Sequence, residues 1–382
     1  GVIEEPFGSG MALILVGTFF AHKLYKQNIL TLGDYYRDRY GRSVELLCSV
    51  AIVISYLGWV GAQVTALGLV INLITEGAVS MTTGMVIGAA VVLAYTMVGG
   101  MWSVAMTDFV QMIVIVVGLV AILWFATDLA GGMDKVVDYA RGRDLFHAFP
   151  EPTTTGWLFW ISAAMTMMIG SIPQQDVFQR VMSAKNLPTA VAGPILGGSF
   201  YILFAFVPMF IVVAAILVMP DAAEKMLSED PQQLLPTLVR DYMPASATML
   251  APSTIFVENV LRHFMKIDDR NMLRAMRLSV AVFAVCVLSY SIALEGAAIY
   301  DMVAMAYQFP VLGAFWPLVC GLYWKKATRQ GCYISIFLGS AVWVVLTWSA
   351  LGEVFPNVLG GFIAAGFGMV VGSLLPTADN KK

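Results

Sequence analysis

Apolar residues along this chain gather into blocks long enough to cross a bilayer, which takes roughly 20 predominantly apolar residues per helix. Ten such blocks stand at 9–24, 45–74, 81–98, 106–127, 156–173, 190–219, 278–299, 302–323, 332–351 and 357–375. Each predicts a transmembrane helix, because a helix satisfies its own N–H and C=O groups where no water can. The expected fold class is therefore an all-α polytopic membrane protein. The fifth block does not end as an anchor would. In Met165-Thr-Met-Met-Ile-Gly-Ser-Ile-Pro-Gln-Gln-Asp-Val-Phe-Gln-Arg180 the apolar run is interrupted by Gly170, Pro173, Gln174 and Gln175. A broken helix at membrane depth is tolerated only where protein or an aqueous cavity surrounds it, and transporters build solute and ion sites from such breaks.

Charge placement orients the blocks, since Lys and Arg in short loops mark the cytoplasmic side. Lys23, Lys26, Arg37, Arg39 and Arg42 put the first loop inside, while 75–80 carries neither Lys nor Arg and reads as outside. Alternation then puts Arg180 and Lys185 inside and the loop with Asp134, Asp138, Asp144 and Glu151 outside. One more crossing is needed between Pro220, outside, and Arg262, Lys266, Arg270, Arg274 and Arg277, inside. Only 242–257 can supply it, a weak span that is rich in Ser and Thr and contains Pro244 and Pro252. Counting it gives eleven spans in a single transmembrane domain over 1–382, with Lys325, Lys326, Arg329 and the Lys381-Lys382 tail in the cytoplasm. It also puts Gly1 outside, so the chain is expected to be N-terminally incomplete. Residues 129–155 and 221–241 are expected to be surface loops with helical turns.

Composition agrees with this setting and narrows the function. The chain is 59% hydrophobic and 12% charged, about half the charged fraction of a soluble domain. A net charge of -3 with 22 scattered Lys and Arg excludes a basic face for nucleic acid. Cys48, Cys286, Cys320 and Cys332 have no CxxC spacing and read as small buried thiols. His22, His147 and His263 lie in or beside loops, so no pair could ligate a haem in the membrane. With no HExxH, GxSxG or P-loop sequence, the expectation is a protein that is not an enzyme and holds no cofactor.

Several polar residues remain as candidates. Gln174 and Gln175 offer adjacent amides beside an unwound backbone, to a polar solute or merely to carbonyls freed by Pro173. Trp59 and Gln63 share one helix face by their i, i+4 spacing. That arrangement suits an organic or quaternary-amine solute, or simple packing. Thr107 and Asp108 follow the Gly99-Gly100 pair, where a span is expected to begin. Either could cap that helix, and the carboxylate could instead line a cytoplasmic ion exit. Ser246, Thr248, Ser253 and Thr254 in the weak span offer hydroxyls to Na⁺ or serve as small packing residues.

Four stretches of the chain resemble the sodium:solute symporter family. They are Thr31-Leu-Gly-Asp-Tyr-Tyr-Arg-Asp-Arg-Tyr-Gly41, the stretch 95–111 with Gly99-Gly100 and Thr107-Asp108, Gly170 to Asn186, and Met249-Leu-Ala-Pro-Ser-Thr-Ile-Phe256. The third stretch and 308–331 look most like the branch containing high-affinity choline transporters. The resemblance implies a leucine-transporter-like inverted-repeat bundle in which Na⁺ moving down its gradient drives solute uptake by alternating access. It places Thr107 and Asp108 at a sodium position and Gln174 and Gln175 on the wall of the solute pocket. The family's Ser-Ser or Ser-Thr sodium ligands align with Met243 and Pro244 here. Part of the eighth core helix is therefore expected to be missing, as are the first spans, and Ser246 and Thr248 stand in as provisional ligands.

The leading expectation is thus a Na⁺-coupled symporter importing a small polar organic solute through a bacterial inner membrane, with Na⁺, solute and the lipid bilayer as its partners. The alternatives are a non-transporting membrane sensor or partner-binding module on the same fold, or an incomplete, inactive fragment.

Overall fold

A computed structural model describes residues 3–27, 29–143, 145, 149–242 and 270–376, and among these it holds helices and no strand. In chain order the helices are α1 (Glu5–Tyr25), α2 (Leu32–Tyr40), α3 (Arg42–Ile74) and α4 (Met81–Leu129). Then come α5 (Met133–Gly142), α6 (Thr154–Gly170), α7 (Gln175–Met182), α8 (Leu187–Phe204) and α9 (Phe206–Val218). Next are α10 (Pro220–Glu229), α11 (Leu234–Tyr242) and α12 (Arg270–Ala293). The last four are α13 (Ile299–Gly313), α14 (Phe315–Tyr323), α15 (Arg329–Thr347) and α16 (Asn357–Leu374).

All ten apolar blocks coincide with helix. Among the described residues, six stretches are long and apolar enough to cross a bilayer: α1, α3, Asp108–Leu129 of α4, Leu187–Val218, α15 and α16. Two further spans are bent pairs, α6 with α7 at 48° and α13 with α14 at 41°. The blocks at 81–98 and 278–299 are represented by the shorter apolar stretches Met81–Leu93 of α4 and Val280–Ala293 of α12. The weak span 242–257 lies outside the described residues except for Tyr242, which ends α11.

The structure departs from the sequence expectations in three places. The first is α4, which is continuous from Met81 to Leu129, so the Gly99-Gly100 pair does not end a helix. Two glycines weaken a helix by about 1 kcal/mol each, too little to break one whose flanks are strongly apolar. The second is the block 302–323, which reads as one run but is bent at Gly313–Ala314. Thirdly, 129–155 and 221–241 are not merely surface loops. They carry α5, α10 and α11, which bury Val136, Ala223, Leu234 and Leu238.

The described residues form two compact units. The first comprises Gly1–Tyr56, His147–Ala205 and Val303–Lys382. Its core gathers Leu32, Tyr36, Cys48, Phe178, Leu318 and Met369 from the interiors of α2, α3, α7, α14 and α16. α15 and α16 approach closely because small residues face each other: a Cβ on Gly339 would sit 2.7 Å from the Ala365 Cβ. This is how membrane helices gain van der Waals contact without a hydrophobic driving force between them. The second unit comprises Leu57–Phe146 and Phe206–Met302. Its larger core packs Ala126 of α4 against Ile211, Ala214, Ala215 and Met219, with the amphipathic α5, α10 and α11 closing over it.

Candidate solute and sodium site

The first break is built by local chemistry. Thr153 caps α6 at its start, its hydroxyl accepting from the Gly156 N–H at 3.0 Å. At the other end the helix closes with bonds from the Ser171 and Ile172 N–H groups to the Met167 and Ile169 carbonyls, at 3.1 and 3.2 Å. Pro173 has no N–H to continue the ladder and disfavours helical geometry in the residue before it. Gln174 is extended (φ -93, ψ 138), and α7 starts at Gln175. Gly170 is required by a neighbour, since a Cβ there would lie 2.6 Å from the Tyr307 carbonyl oxygen on α13. The two bent spans therefore touch beside the first break.

Both predicted glutamines are held at this break, in opposite senses. Gln174 is 4% exposed. Its Nε2 donates to the Ser55 hydroxyl of α3 at 2.9 Å, and Ser55 in turn donates to the Ile52 carbonyl at 2.7 Å. Gln175 accepts at Oε1 from the Leu32 N–H at 2.9 Å, one of the free donors in the first turn of α2. That leaves Gln174 Oε1 and Gln175 Nε2 buried and without a hydrogen-bond partner among the described residues. Leaving such an atom unsatisfied costs about 1–3 kcal/mol, so a break that retains one acceptor and one donor is suited to a polar guest. The expectation that the amides merely satisfy carbonyls freed by Pro173 does not describe these bonds.

The next residue fastens α7. The Tyr56 hydroxyl donates to Asp176 Oδ1 at 2.6 Å and accepts from the Asp176 N–H at 2.9 Å. The carboxylate sits in the first turn of α7, where the helix dipole favours an anion. Arg180 lies 3.5 Å from Asp176 Oδ2, but both side chains are exposed enough for solvent to screen the pair.

A second set of contacts, not singled out by sequence reasoning, grips α14, the second helix of the other bent pair. The hydroxyls of Tyr36 and Tyr40 donate to the Ala314 and Pro317 carbonyls, each at 2.9 Å, and Tyr35 donates to that of Leu318 at 3.4 Å. Arg39 donates to the Gly321, Trp324 and Lys325 carbonyls at 3.2 to 3.3 Å, and Lys23 to that of Leu322 at 3.1 Å. Cations at a helix C-terminus meet its orphan carbonyls and the negative end of its dipole. Burial pushes the hydroxyls of Tyr35, Tyr36 and Tyr40 well above the ordinary tyrosine value, which keeps them protonated donors. α2 itself is set by a capping box between Thr31 and Asp34. Burial alone would raise the Asp34 carboxyl, but bonds from the Thr31 hydroxyl and N–H and the nearby Arg37 guanidinium hold it below the usual carboxylate range. Three tyrosines in one short polar loop helix were the available signal.

The remaining candidates are dispersed. Trp59 and Gln63 lie one turn apart on the part of α3 in the second unit, Trp59 half-buried and Gln63 exposed. Gln174 and Gln175 belong to the first unit. Thr107 and Asp108 fall inside α4, so neither is the N-cap expected of them; Ser80 takes that role, its hydroxyl accepting from the Thr83 N–H at 3.2 Å. The Asp108 side chain is half-buried. Ser246 and Thr248, with Ser253 and Thr254, lie outside the described residues.

Among the described residues, six stretches long and apolar enough to cross a bilayer and two bent helix pairs, one carrying a buried amide at its break, mark a multi-pass membrane protein. A model of the sodium:solute symporter family matches residues 6–339, and the chain belongs to that family. It is 26% identical over 361 residues to the high affinity choline transporter 1 of Homo sapiens, an alignment that covers 86% of this chain and 60% of that protein. To the high-affinity proline transporter of Bacillus subtilis (strain 168) it is 23% identical over 387 residues, covering 93% and 78%. A solved Na⁺-coupled sialic acid symporter in a substrate-bound outward-open state matches with a TM-score of 0.74 at 16% identity, over 96% of this chain and 82% of that one. That likeness establishes the leucine-transporter-like fold. The chain spans about 60% of the length of the choline transporters it matches. The family consists of symporters, transporters rather than enzymes, for which Na⁺ is a coupling ion and not a resident cofactor.

Proposed function

We propose that this chain forms the transport body of a Na⁺-coupled symporter that imports a small polar organic solute by alternating access. The observation that carries the reading is the α6–α7 break, where Gln174 is buried with an acceptor that has no partner among the described residues, in a chain of this family. Gln174 and Gln175 contact the solute, and Trp59 and Gln63 are further solute-binding residues. Thr107 and Asp108 lie on the sodium path, with Ser246 and Thr248 as further sodium ligands. Relatives named for choline, proline and glucose, and the neighbour named for sialic acid, support a small polar organic solute as the class. The membrane is a bacterial inner membrane. The C-terminus is cytoplasmic, a placement supported by Lys325, Lys326 and Arg329 in the preceding loop.

The test is uptake of labelled choline, proline, glucose and sialic acid by proteoliposomes carrying the chain, under an inward Na⁺ gradient or in K⁺ buffer. The expected result is Na⁺-dependent accumulation of one solute, reduced by Asp108→Ala. Equal uptake in both buffers refutes Na⁺ coupling, and no uptake of any of the four refutes the chain as a transport body for this class.

A further inference from the structure

Ser55 decides which way the Gln174 amide faces. Its hydroxyl has a single proton, and that proton goes to the Ile52 carbonyl at 2.7 Å. Toward Gln174 it can therefore only accept. The amide must turn its NH₂ group to Ser55, where the bond is 2.9 Å, and leave Oε1 as the group without a partner among the described residues. A flipped amide would set two acceptors against each other unless Ser55 gave up Ile52. Both residues are buried, Ser55 at 1% exposed and Gln174 at 4%, so water cannot easily compensate the wrong orientation.

We propose that Ser55 is a positioning residue that sets the polarity of the solute site. Resting on the solute-site reading above, it holds Gln174 so that the break offers an acceptor. The site then selects solutes that bring a hydrogen-bond donor, such as a hydroxyl or a protonated secondary amine. A fully methylated analogue leaves the buried oxygen unmet and is rejected, because a site built to hydrogen-bond a group discriminates strongly against its absence.

The experiment is competition in the proteoliposome assay between the transported solute and its donor-blocked analogue: proline against N,N-dimethylproline, choline against O-methylcholine, or a sugar against its O-methyl ethers. Wild type is expected to prefer the donor-bearing form by about tenfold or more, the size of one buried group left unsatisfied. Ser55→Ala frees the amide to turn and brings the ratio near unity. Ser55→Thr, which retains the hydroxyl, keeps the preference. Gln174→Glu placed in the Ser55→Ala background, where a carboxylate accepts through either oxygen and needs no hydroxyl to orient it, restores the preference, and this rescue separates orientation from any general loss of folding. Wild-type discrimination in Ser55→Ala overturns the role of Ser55 and leaves the solute site standing. A wild-type KM in Gln174→Leu overturns the solute site itself.

Discussion

The contact between the two bent spans can be tested at one residue. In Gly170→Ala the new Cβ would sit 2.6 Å from the Tyr307 carbonyl oxygen, 3.0 Å from the Tyr307 Cβ and 3.2 Å from Val311 Cγ2. An ordinary contact needs about 0.8 Å more than the first of these, and the opposing atom is backbone, which cannot rotate aside. Overpacking of this kind costs roughly 1–3 kcal/mol. Against it stands the gain of alanine over glycine in a helix, at most about 1 kcal/mol and less at the last residue of α6. The clash should win by about 1–2 kcal/mol. The internal control is Gly193 in α8, where a Cβ meets nothing within 4 Å. There the same substitution gains propensity with no clash. Thermal melting in detergent should show Gly170→Ala lowered by about 1 °C per kcal/mol for a chain of this length and Gly193→Ala unchanged or raised. If Gly170→Ala melts with or above wild type, the close approach of α6 and α13 is wrong.

Other residues make equally definite predictions. Tyr36→Phe removes a fully buried bond to the Ala314 carbonyl and should lower stability by about 1–1.5 kcal/mol, read in the same melt; an unchanged melting temperature refutes the grip of α2 on α14. Asp34 has a lowered pKa in the folded state, so its contribution is present above the ordinary carboxylate value and is lost as pH falls through the folded one. The difference in melting temperature between wild type and Asp34→Asn should therefore be flat from neutral pH downward and close only below about pH 4. A difference that closes near pH 6 would contradict the sign of that shift. Ser80→Ala should cost about 1 kcal/mol if Ser80 caps α4, and a neutral result in the melt would remove that assignment.

The apolar helices were legible because the bilayer imposes a length and a hydropathy that any local window can read. The first break was legible because Gly170, Pro173 and two glutamines are polar or helix-breaking in place. At Gly313–Ala314 the second bend was hidden, since the residues on both sides are apolar and hydropathy does not register a change of direction. The capping expectation for Thr107 and Asp108 failed because a Gly-Gly pair weakens a helix without ending it. Tyr35, Tyr36 and Tyr40 were inside a stretch already recognised as family-like, yet their partners lie at the second bend and on α14, 277 to 283 residues away.

By itself the sequence determined the membrane setting, the helical class, the family and the place of the first break, all consequences of patterns within some twenty residues. Only the tertiary structure decided what the break presents. Which atom of Gln174 is left without a partner among the described residues depends on the one proton of Ser55, 119 residues earlier, and on where Ile52 directs it. Which atom of Gln175 is left so depends on an N–H at the start of α2, 143 residues earlier. A hydrogen bond is directional and pairwise, so its outcome is settled only when both partners have been brought into place.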